Sequence, residues 1–193
     1  MSETRQAPPQ LAQLVRSGDQ QVEAVEITPF IFMARDSSNA YLVTTDDGDV
    51  VINTGLPDGA ERSAKLFAPH RSGSLRYIIL TQSHADHFGG VPVFLEDGTK
   101  VVGGPDYNAC RDHMLNMQSY FGQCTMKLWG DTLKLDKPRK PIPDITPDIF
   151  VDREMTLNVG ERSFVLIHAP EGETEDNILV WMPEDKILFT GNT

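Results

Sequence analysis

The sequence has few cysteines and no long apolar run. Two cysteines among 193 residues form neither a CxxC pair nor a zinc-knuckle spacing, which argues against a disulfide framework or a cysteine-built metal site. A disulfide between Cys110 and Cys124 stays open, although two reduced thiols are favoured. Stretches of about 18 apolar residues and an apolar N-terminal signal segment are both lacking. We therefore expect a cytoplasmic protein without a membrane span.

Basic residues are also scarce. The chain has 17 Lys and Arg against 28 Asp and Glu, a formal net charge of -11. Nucleic acids and anionic membrane surfaces require a basic face, so neither partner is expected. An anionic small-molecule substrate would be repelled unless its site were locally positive, which a bound divalent metal can provide. The sequence is compatible with a homo-oligomer.

Composition and patterning predict one α/β domain. Hydrophobic residues make up 39% and charged residues 23% of the chain, as in ordinary globular proteins with one core. Residues 1–20 are polar and predict a flexible arm, and residues 21–193 predict the folded domain. Strands are predicted at 22–27, 30–33, 40–45, 50–52, 75–80, 99–103, 155–158, 162–167, 177–182 and 186–190. Helices are predicted at 57–68, 88–95 and 105–122, an order that favours a sheet with parallel pairs.

The stretch Thr81–Gly90, which reads TQSHADHFGG, carries the chemistry. It follows the apolar run Leu75–Leu80, which predicts a central strand buried on both faces, and it precedes a helical pattern. Its polar groups are an amide, two imidazoles and a carboxylate: Gln82, His84, Asp86 and His87. Imidazole and carboxylate suit Zn²⁺ at about 2.0–2.2 Å, and also Fe or Mn. The spacing therefore predicts a metal-binding loop, with a hydrogen-bonded loop network as the alternative.

The stretch TQSHADHFGG resembles the H-x-H-x-D-H motif and following Gly-Gly of the metallo-β-lactamase superfamily. Val50–Gly55 resembles the family's strand ending in D-T-G, Leu166–Thr174 its T-P-G-H-T segment and Leu188–Asn192 its LFTGD segment. The phrases GETEDN and VWMPEDKILFTGN look most like the alkylsulfatase-type branch, in which a glutamate replaces a histidine ligand. The resemblance covers about residue 22 onwards and implies a four-layer αβ/βα sandwich whose second half is incomplete.

When the family's ligand positions are carried over to this sequence, the resemblance implies one or two bound zinc ions. The implied ligands are Gln82, His84 and Glu173 for the first metal and Asp86 and His87 for the second, with Asn192 at the position of the family's bridge between the two. Gln82 replaces a family histidine and Asn192 replaces an acidic bridge, so both substitutions weaken a dinuclear centre. The family's last histidine ligand would fall beyond Thr193, so we expect a C-terminally truncated chain.

Structural roles compete with several of these assignments. Gln82 can orient the loop through a hydrogen bond, Glu173 can belong to a solvated acidic run, and Asn192 can have no role. Asn53 is expected to hold the metal loop by hydrogen bonding. His168 is a rival to Glu173 as a ligand, with a core or supporting position favoured. His70 and His113 lie on helix patterns away from the cluster.

Together these features predict a metal-dependent hydrolase, with alkylsulfatase-like hydrolysis of a small, partly apolar substrate as the first hypothesis. The candidate catalytic residues are His84, Asp86 and His87, and Asp86 would orient the attacking water. An apolar substrate wall, or alternatively core packing, is predicted from Met114, Met117, Phe121 and Trp129. The alternatives are a β-lactamase or lactonase, and a non-catalytic metal- or partner-binding module.

Overall fold

The computed structural model describes residues 18–117 and 140–192. The strands are β1 (Val25–Thr28), β2 (Ile31–Ala34), β3 (Ala40–Thr45), β4 (Gly48–Ile52), β5 (Leu75–Ile79), β6 (Lys100–Gly103), β7 (Ile149–Phe150), β8 (Glu154–Val159), β9 (Arg162–His168), β10 (Ile178–Met182) and β11 (Ile187–Phe189). The helices are α1 (Ala60–Phe67) with a 3₁₀ turn at Ala68–His70, α2 (Ala85–Phe88), α3 (Val91–Phe94) and α4 (Tyr107–Met117).

The strands form two sheets. The larger sheet has the order β1-β2-β3-β4-β5-β6-β7, and the smaller has the order β11-β10-β9-β8. Pairing is antiparallel from β1 to β4 and parallel from β4 to β7, which confirms the predicted parallel pairs. The smaller sheet is antiparallel throughout, and β8 with β9 and β10 with β11 form two hairpins. The carboxyl ends of β4, β5 and β6 therefore lie along one edge of the larger sheet.

Alternation along the strands of the larger sheet divides the buried residues between two cores. On β4, Val51 faces the helices, whereas Val50 and Ile52 face the smaller sheet. All buried hydrophobic residues on helices of the described chain lie in the first core, among them Phe67 and Phe88. The second core fills the space between the sheets. Helix, sheet and sheet thus form three successive layers of the predicted sandwich.

The structure departs from the predicted elements in three places. The single helix expected at 88–95 is two short helices, α2 and α3, because the Gly89-Gly90 pair interrupts it. Helix α2 begins at Ala85, so Asp86 and His87 lie on a helix rather than in the loop before it. Strand β7 was not predicted, since Ile149–Phe150 is too short to show a periodic pattern. The expected C-terminal part of the longest helix, up to residue 122, lies outside the described residues.

Strand β11 is an edge strand of the smaller sheet. It pairs with β10 alone among the described strands, and Leu188 is 47% exposed. None of the helices in the described ranges is long and apolar enough to cross a membrane. The division into an arm at 1–20 and a domain at 21–193 stays a prediction, because residues 1–17 lie outside the described chain.

A buried carboxylate fixes the outer end of β4. Asp49 is fully buried, and its carboxylate accepts hydrogen bonds from Arg71 Nε at 2.5 Å and from Ser72 Oγ at 2.6 Å. Arg71 Nη1 also donates to Glu96 Oε1 at 2.6 Å, and Glu96 Oε2 accepts from the backbone N–H of Leu75 at 2.7 Å. The arginine thereby ties β4, the start of β5 and the segment after α3 together. Its hydrogen bond lowers the pKa of the Glu96 carboxyl below the usual 4.5.

We predict that Arg71→Gln lowers the free energy of unfolding at pH 7 by roughly 3 kcal/mol, because it leaves the Asp49 carboxylate buried without its cation. Glu96 has a lowered pKa, so its stabilising effect is present above pH 4.5 and is lost as the pH falls through the folded-state value. The difference from the unmodified chain should therefore shrink in acid. Urea unfolding across this pH range measures it, with the half-exposed Arg76 as the Arg76→Gln control. Equal losses in both variants would contradict the assignment.

Candidate metal centre

The site is built where β4 and β5 end side by side. Asn53 follows β4 with a positive φ of 55°, which aims its side chain across the strand ends. Its Oδ1 accepts the Thr81 backbone N–H at 3.0 Å, and its Nδ2 donates to Thr81 Oγ1 at 3.0 Å. All these groups are buried. Asn53 therefore holds the start of the Thr81–Gly90 loop, as the sequence analysis expected.

A second set of hydrogen bonds holds the helical end of the loop in place. Thr54 donates from its backbone N and from Oγ1 to the carbonyl oxygen of His87, at 2.7 and 2.9 Å. Gly90 donates to Gly55 O at 3.1 Å, and a Cβ at Gly90 would overlap the Thr54 carbonyl oxygen. Glycine is required here because the two backbones approach so closely. This contact explains the second glycine of the pair that ends the metal loop.

The predicted ligands of the first metal converge. Gln82 is fully buried, and its Nε2 lies 2.9 Å from His84 Nδ1 and 2.8 Å from Glu173 Oε2. The distance from His84 Nδ1 to Glu173 Oε1 is 3.6 Å, and Asn192 Nδ2 donates to Glu173 Oε2 at 2.7 Å. Although partial burial acts to raise it, the pKa of Glu173 is lowered by the hydrogen bonds from Gln82 and Asn192. Glu173 is thus a carboxylate directed into the site.

The predicted residues of the second metal lie on α2. Ser38, from the segment between β2 and β3, donates through Oγ to Asp86 Oδ2 at 2.6 Å, and its Oγ lies 3.1 Å from His87 Nε2. On the other side of the ring, His87 Nδ1 lies 3.1 Å from Thr81 Oγ1. Burial lowers the pKa of His87, which favours the neutral ring. Both nitrogens of His87 are therefore engaged by hydroxyl groups.

A buried acid supports the segment that carries Glu173. Asp176 is fully buried, and its Oδ1 accepts a hydrogen bond from Ser83 Oγ at 3.0 Å, so it connects this segment to the middle of the metal loop. Burial raises the pKa of the Asp176 carboxyl. A Cβ at Gly104 would overlap the carbonyl oxygen of Asp176. The glycine after β6 therefore allows the close approach that brings Glu173 to the loop.

A cavity of about 650 Å³ opens beside the first cluster. It lies between α4 and residues 171–175, and its lining includes two imidazoles, an apolar strip and four carboxylates. The lining comprises His84, Asp106, Ala109, Cys110, His113, Met114, Glu171, Gly172, Glu173, Thr174 and Glu175. The sequence analysis was wrong to separate His113 from the cluster, because α4 runs past the site and directs this residue into the same cavity.

The other histidines and the predicted apolar wall are placed differently. His70 stacks on Phe32 with ring centroids 4.0 Å apart, and His168 Nε2 lies 2.7 Å from the carbonyl oxygen of Glu175, so both have supporting positions. Met114 lines the cavity and also packs against the first core, so both predicted roles stay open for that residue. The predicted wall residues Phe121 and Trp129, the side chain of Met117, and Cys124 lie outside the described residues.

The donor atoms of the first cluster suit one metal ion if the Gln82 amide is turned. Ligands of a tetrahedral zinc at ~2.0–2.1 Å lie ~3.3 Å apart, close to the 2.8–3.6 Å separations found here. Gln82 Oε1 is buried and meets no hydrogen-bond partner within the described chain. Turning the amide by 180° would place this oxygen among the ligand atoms and require no change of fold. The first cluster therefore fits a metal through Gln82, His84 and Glu173.

The second cluster does not fit a metal equally well. Across residues 18–117 and 140–192, no group of three or more His, Cys, Asp or Glu side chains is arranged to hold a metal ion, which applies to both clusters, although the first adds the Gln82 amide as a third donor. Asp86 and His87 supply two donors, while Asn192 donates to Glu173 of the first cluster and also lines a cavity with Ser38 and His87 of the second. Ligation by each of the six predicted residues stays a prediction.

The comparison with protein families agrees with this geometry. The model of the metallo-beta-lactamase superfamily matches residues 33–193. The chain belongs to the metallo-β-lactamase superfamily. The match confirms the family resemblance and the mixed α/β fold, and at this coarser level it makes the chain a relative of metallo-hydrolases, whose members typically bind one or two zinc ions.

Three relatives illustrate the relationship. The metallo-beta-lactamase type 2 of Elizabethkingia meningoseptica is 26% identical over 159 residues, covering 80% of this chain and 51% of that protein. The beta-lactamase-like protein 2 homolog of Caenorhabditis elegans is 22% identical over 157 residues, covering 80% and 43%. The chain thus spans about half the length of these curated relatives. The inverting sec-alkylsulfatase Pisa1 of Pseudomonas sp. superposes with a TM-score of 0.72 at 16% identity, covering 96% of this chain and 34% of that one.

Sequence reasoning overlooked four polar residues around the site. Ser38, Thr81, Ser83 and Asp176 each hold a candidate ligand or the segment that carries one. Thr81 and Ser83 lie within the metal loop, so their hydroxyls next to the candidate ligands gave a local signal. Ser38 lies 48 residues before Asp86, and no spacing links the two.

We predict that Thr81→Val lowers the free energy of unfolding by roughly 1–3 kcal/mol, because it leaves Asn53 Nδ2 and His87 Nδ1 buried without their shared partner. Thr44→Val is the matched control, since Thr44 Oγ1 has only a 3.5 Å contact to Phe30 O, and a change within about 0.5 kcal/mol is expected there. Denaturant unfolding of the metal-free protein measures both. A Thr81→Val variant as stable as the control would show that the hydroxyl does not hold the site.

Proposed function

We propose that the protein is a metal-dependent hydrolase of alkylsulfatase-like type that acts on a small ester with an apolar part. The observation that carries the proposal is the convergence of Gln82, His84 and Glu173 beside a partly apolar cavity. A glutamate takes the place of the third-segment histidine, as in the alkylsulfatase-type branch that the sequence resembles. The likeness to a sec-alkylsulfatase over 96% of this chain supports the fold on which such a site is built.

The residues of the first cluster would hold the metal. His84 Nδ1, a Glu173 oxygen and the turned amide oxygen of Gln82 would be its protein ligands, and Zn²⁺ fits these nitrogen and oxygen donors. When bound, the metal supplies a water of lowered pKa and positive charge against developing negative charge. That charge also matters for binding, because four carboxylates line the cavity and would repel a sulfate ester.

The remaining side chains position the substrate and water. Asp86 has one oxygen fixed by Ser38, so its carboxylate is held in a defined orientation, from which it would orient and deprotonate the attacking water. Met114 and Ala109 offer an apolar surface on α4 for the hydrocarbon part of the ester. His113 lies in the same cavity and would donate a hydrogen bond to the polar end of the substrate.

A panel of one alkyl sulfate, one lactone and one cephalosporin tests the substrate class. We expect the alkyl sulfate to be hydrolysed with the highest kcat/KM, activity to disappear after chelation, and Zn²⁺ to restore it. Heat-denatured protein with added Zn²⁺ is the control for hydrolysis by free metal. A higher kcat/KM for the lactone or cephalosporin would replace the alkylsulfatase assignment by the lactonase or β-lactamase alternative.

Metal affinity tests the ligand set. We expect Glu173→Gln to weaken Zn²⁺ binding at least about tenfold, because it exchanges a carboxylate ligand for a neutral amide, and Gln82→His to strengthen it by a similar factor. Competition with a chromophoric chelator measures both dissociation constants. Glu175→Gln is the control, since it removes the same charge from the rim of the same cavity. If Glu173→Gln and Glu175→Gln weaken binding equally, Glu173 acts only through its charge and is not a ligand.

A non-catalytic metal- or partner-binding module is the second candidate. It is favoured by the absence, among residues 18–117 and 140–192, of three His, Cys, Asp or Glu side chains at one metal position. Metal content per chain separates the two candidates. The protein would be produced in cells grown with zinc. Almost no zinc per chain, and a Tm that does not rise when metal is added, would support the non-catalytic module.

A further inference from the structure

Ser38 is the residue that connects Asp86 to His87. It lies between β2 and β3, outside every segment that carries the family motifs, and it is only 7% exposed. Its Oγ lies 2.6 Å from Asp86 Oδ2 and 3.1 Å from His87 Nε2, so one hydroxyl group touches both side chains. The two distances are those of good hydrogen bonds.

The hydrogens of this cluster can be assigned by elimination. A serine hydroxyl has one hydrogen to donate, and the carboxylate of Asp86 can only accept it. Ser38 Oγ must therefore receive a hydrogen from His87 Nε2. Nδ1 of the ring is then the nearer acceptor for Thr81 Oγ1–H, at 3.1 Å, whereas Asn53 Oδ1, at 3.2 Å, already accepts the Thr81 backbone N–H. Thr81 Oγ1 in turn accepts from Asn53 Nδ2 at 3.0 Å. The resulting chain satisfies each group once, running from Asn53 through Thr81, His87 and Ser38 to Asp86.

The same chain decides which atoms remain open to a second metal. His87 Nδ1 points at Thr81 in the interior, so Nε2 is the ring nitrogen through which His87 could bind a metal. Ser38 Oγ already lies against this nitrogen and against Asp86 Oδ2. A metal held jointly by Asp86 and His87 would have to displace the hydroxyl and remove the hydrogen from Nε2.

We propose that Ser38 is a positioning residue that closes the second metal position. Its hydroxyl takes the place of a metal in joining Asp86 to His87, so the second half of the site keeps its shape by hydrogen bonding. The chain then binds one metal, through Gln82, His84 and Glu173, and this stoichiometry rests on the proposed function for its first metal alone. Removing the hydroxyl opens the second position.

Metal stoichiometry tests the proposal. Metal-free protein is dialysed against increasing Zn²⁺, and bound metal per chain is measured for Ser38→Ala and for Ser37→Ala, the same change at an exposed neighbour. We expect Ser38→Ala to bind one more equivalent of Zn²⁺ per chain than Ser37→Ala. Superimposable binding curves, or two equivalents in the unmodified chain, would overturn the proposal.

A second variant tests the proposal even if Ser38→Ala does not fold normally. Ser38→Cys keeps a side chain of similar shape and places sulfur beside Asp86 Oδ2 and His87 Nε2, where a thiolate can act as a third ligand. With Co²⁺ we expect a thiolate-to-metal charge-transfer band in the near ultraviolet that Ser37→Cys lacks. A folded Ser38→Cys protein without this band would show that Ser38 does not lie at a metal position.

These outcomes are separate from those of the proposed function. Loss of metal binding at the first cluster would remove the hydrolase proposal, and it would appear as an unmodified chain that binds no zinc. The comparison of Ser38 and Ser37 variants would still report on the second position, because it uses only Asp86 and His87. Conversely, an active enzyme whose Ser38 and Ser37 variants bind zinc identically would retain the hydrolase proposal and exclude the role of Ser38.

Discussion

The structure depends on the hydrogen-bonded pair that Asn53 and Thr81 form at the ends of two neighbouring parallel strands. Both residues are buried, and each satisfies polar groups of the other. Buried amide and hydroxyl groups are costly without partners, so this pair sets how the metal loop leaves the sheet. Thr81 also contacts His87, and thus the backbone constraint at the strand ends extends to the candidate ligands.

The two halves of the site differ in how their polar side chains obtain hydrogen-bond partners. In the first, an amide donates to an imidazole and a carboxylate, while a buried amide oxygen is left without a partner within the described chain. In the second, hydroxyl groups satisfy both nitrogens of His87 and one oxygen of Asp86. The first half therefore gains from a cation that recruits the orphaned oxygen, whereas in the second both nitrogens of His87 and one oxygen of Asp86 already have partners. This asymmetry is the physical basis for expecting one metal.

Membership of the superfamily, the parallel strands and the position of the loop were all predictable from local sequence. Apolar runs that end just before Asn53 and Thr81 locate the strands. His84, Asp86 and His87 have a distinctive spacing. Residues joined across long distances were harder to predict. Glu173 was assigned by family resemblance, because 91 residues separate it from Gln82, and His113 was missed since its helical pattern gives no direction relative to the loop.

The sequence by itself determined which chemical groups are available: one loop with two imidazoles and a carboxylate, and the weaker amide in place of a further histidine. Only the tertiary structure decided how they are combined. The close approach at Gly104 brings Glu173 to Gln82, and the segment before β3 brings Ser38 between Asp86 and His87. Local patterns reflect hydrophobic periodicity along one segment, whereas hydrogen bonds between distant segments depend on how the packed layers place them.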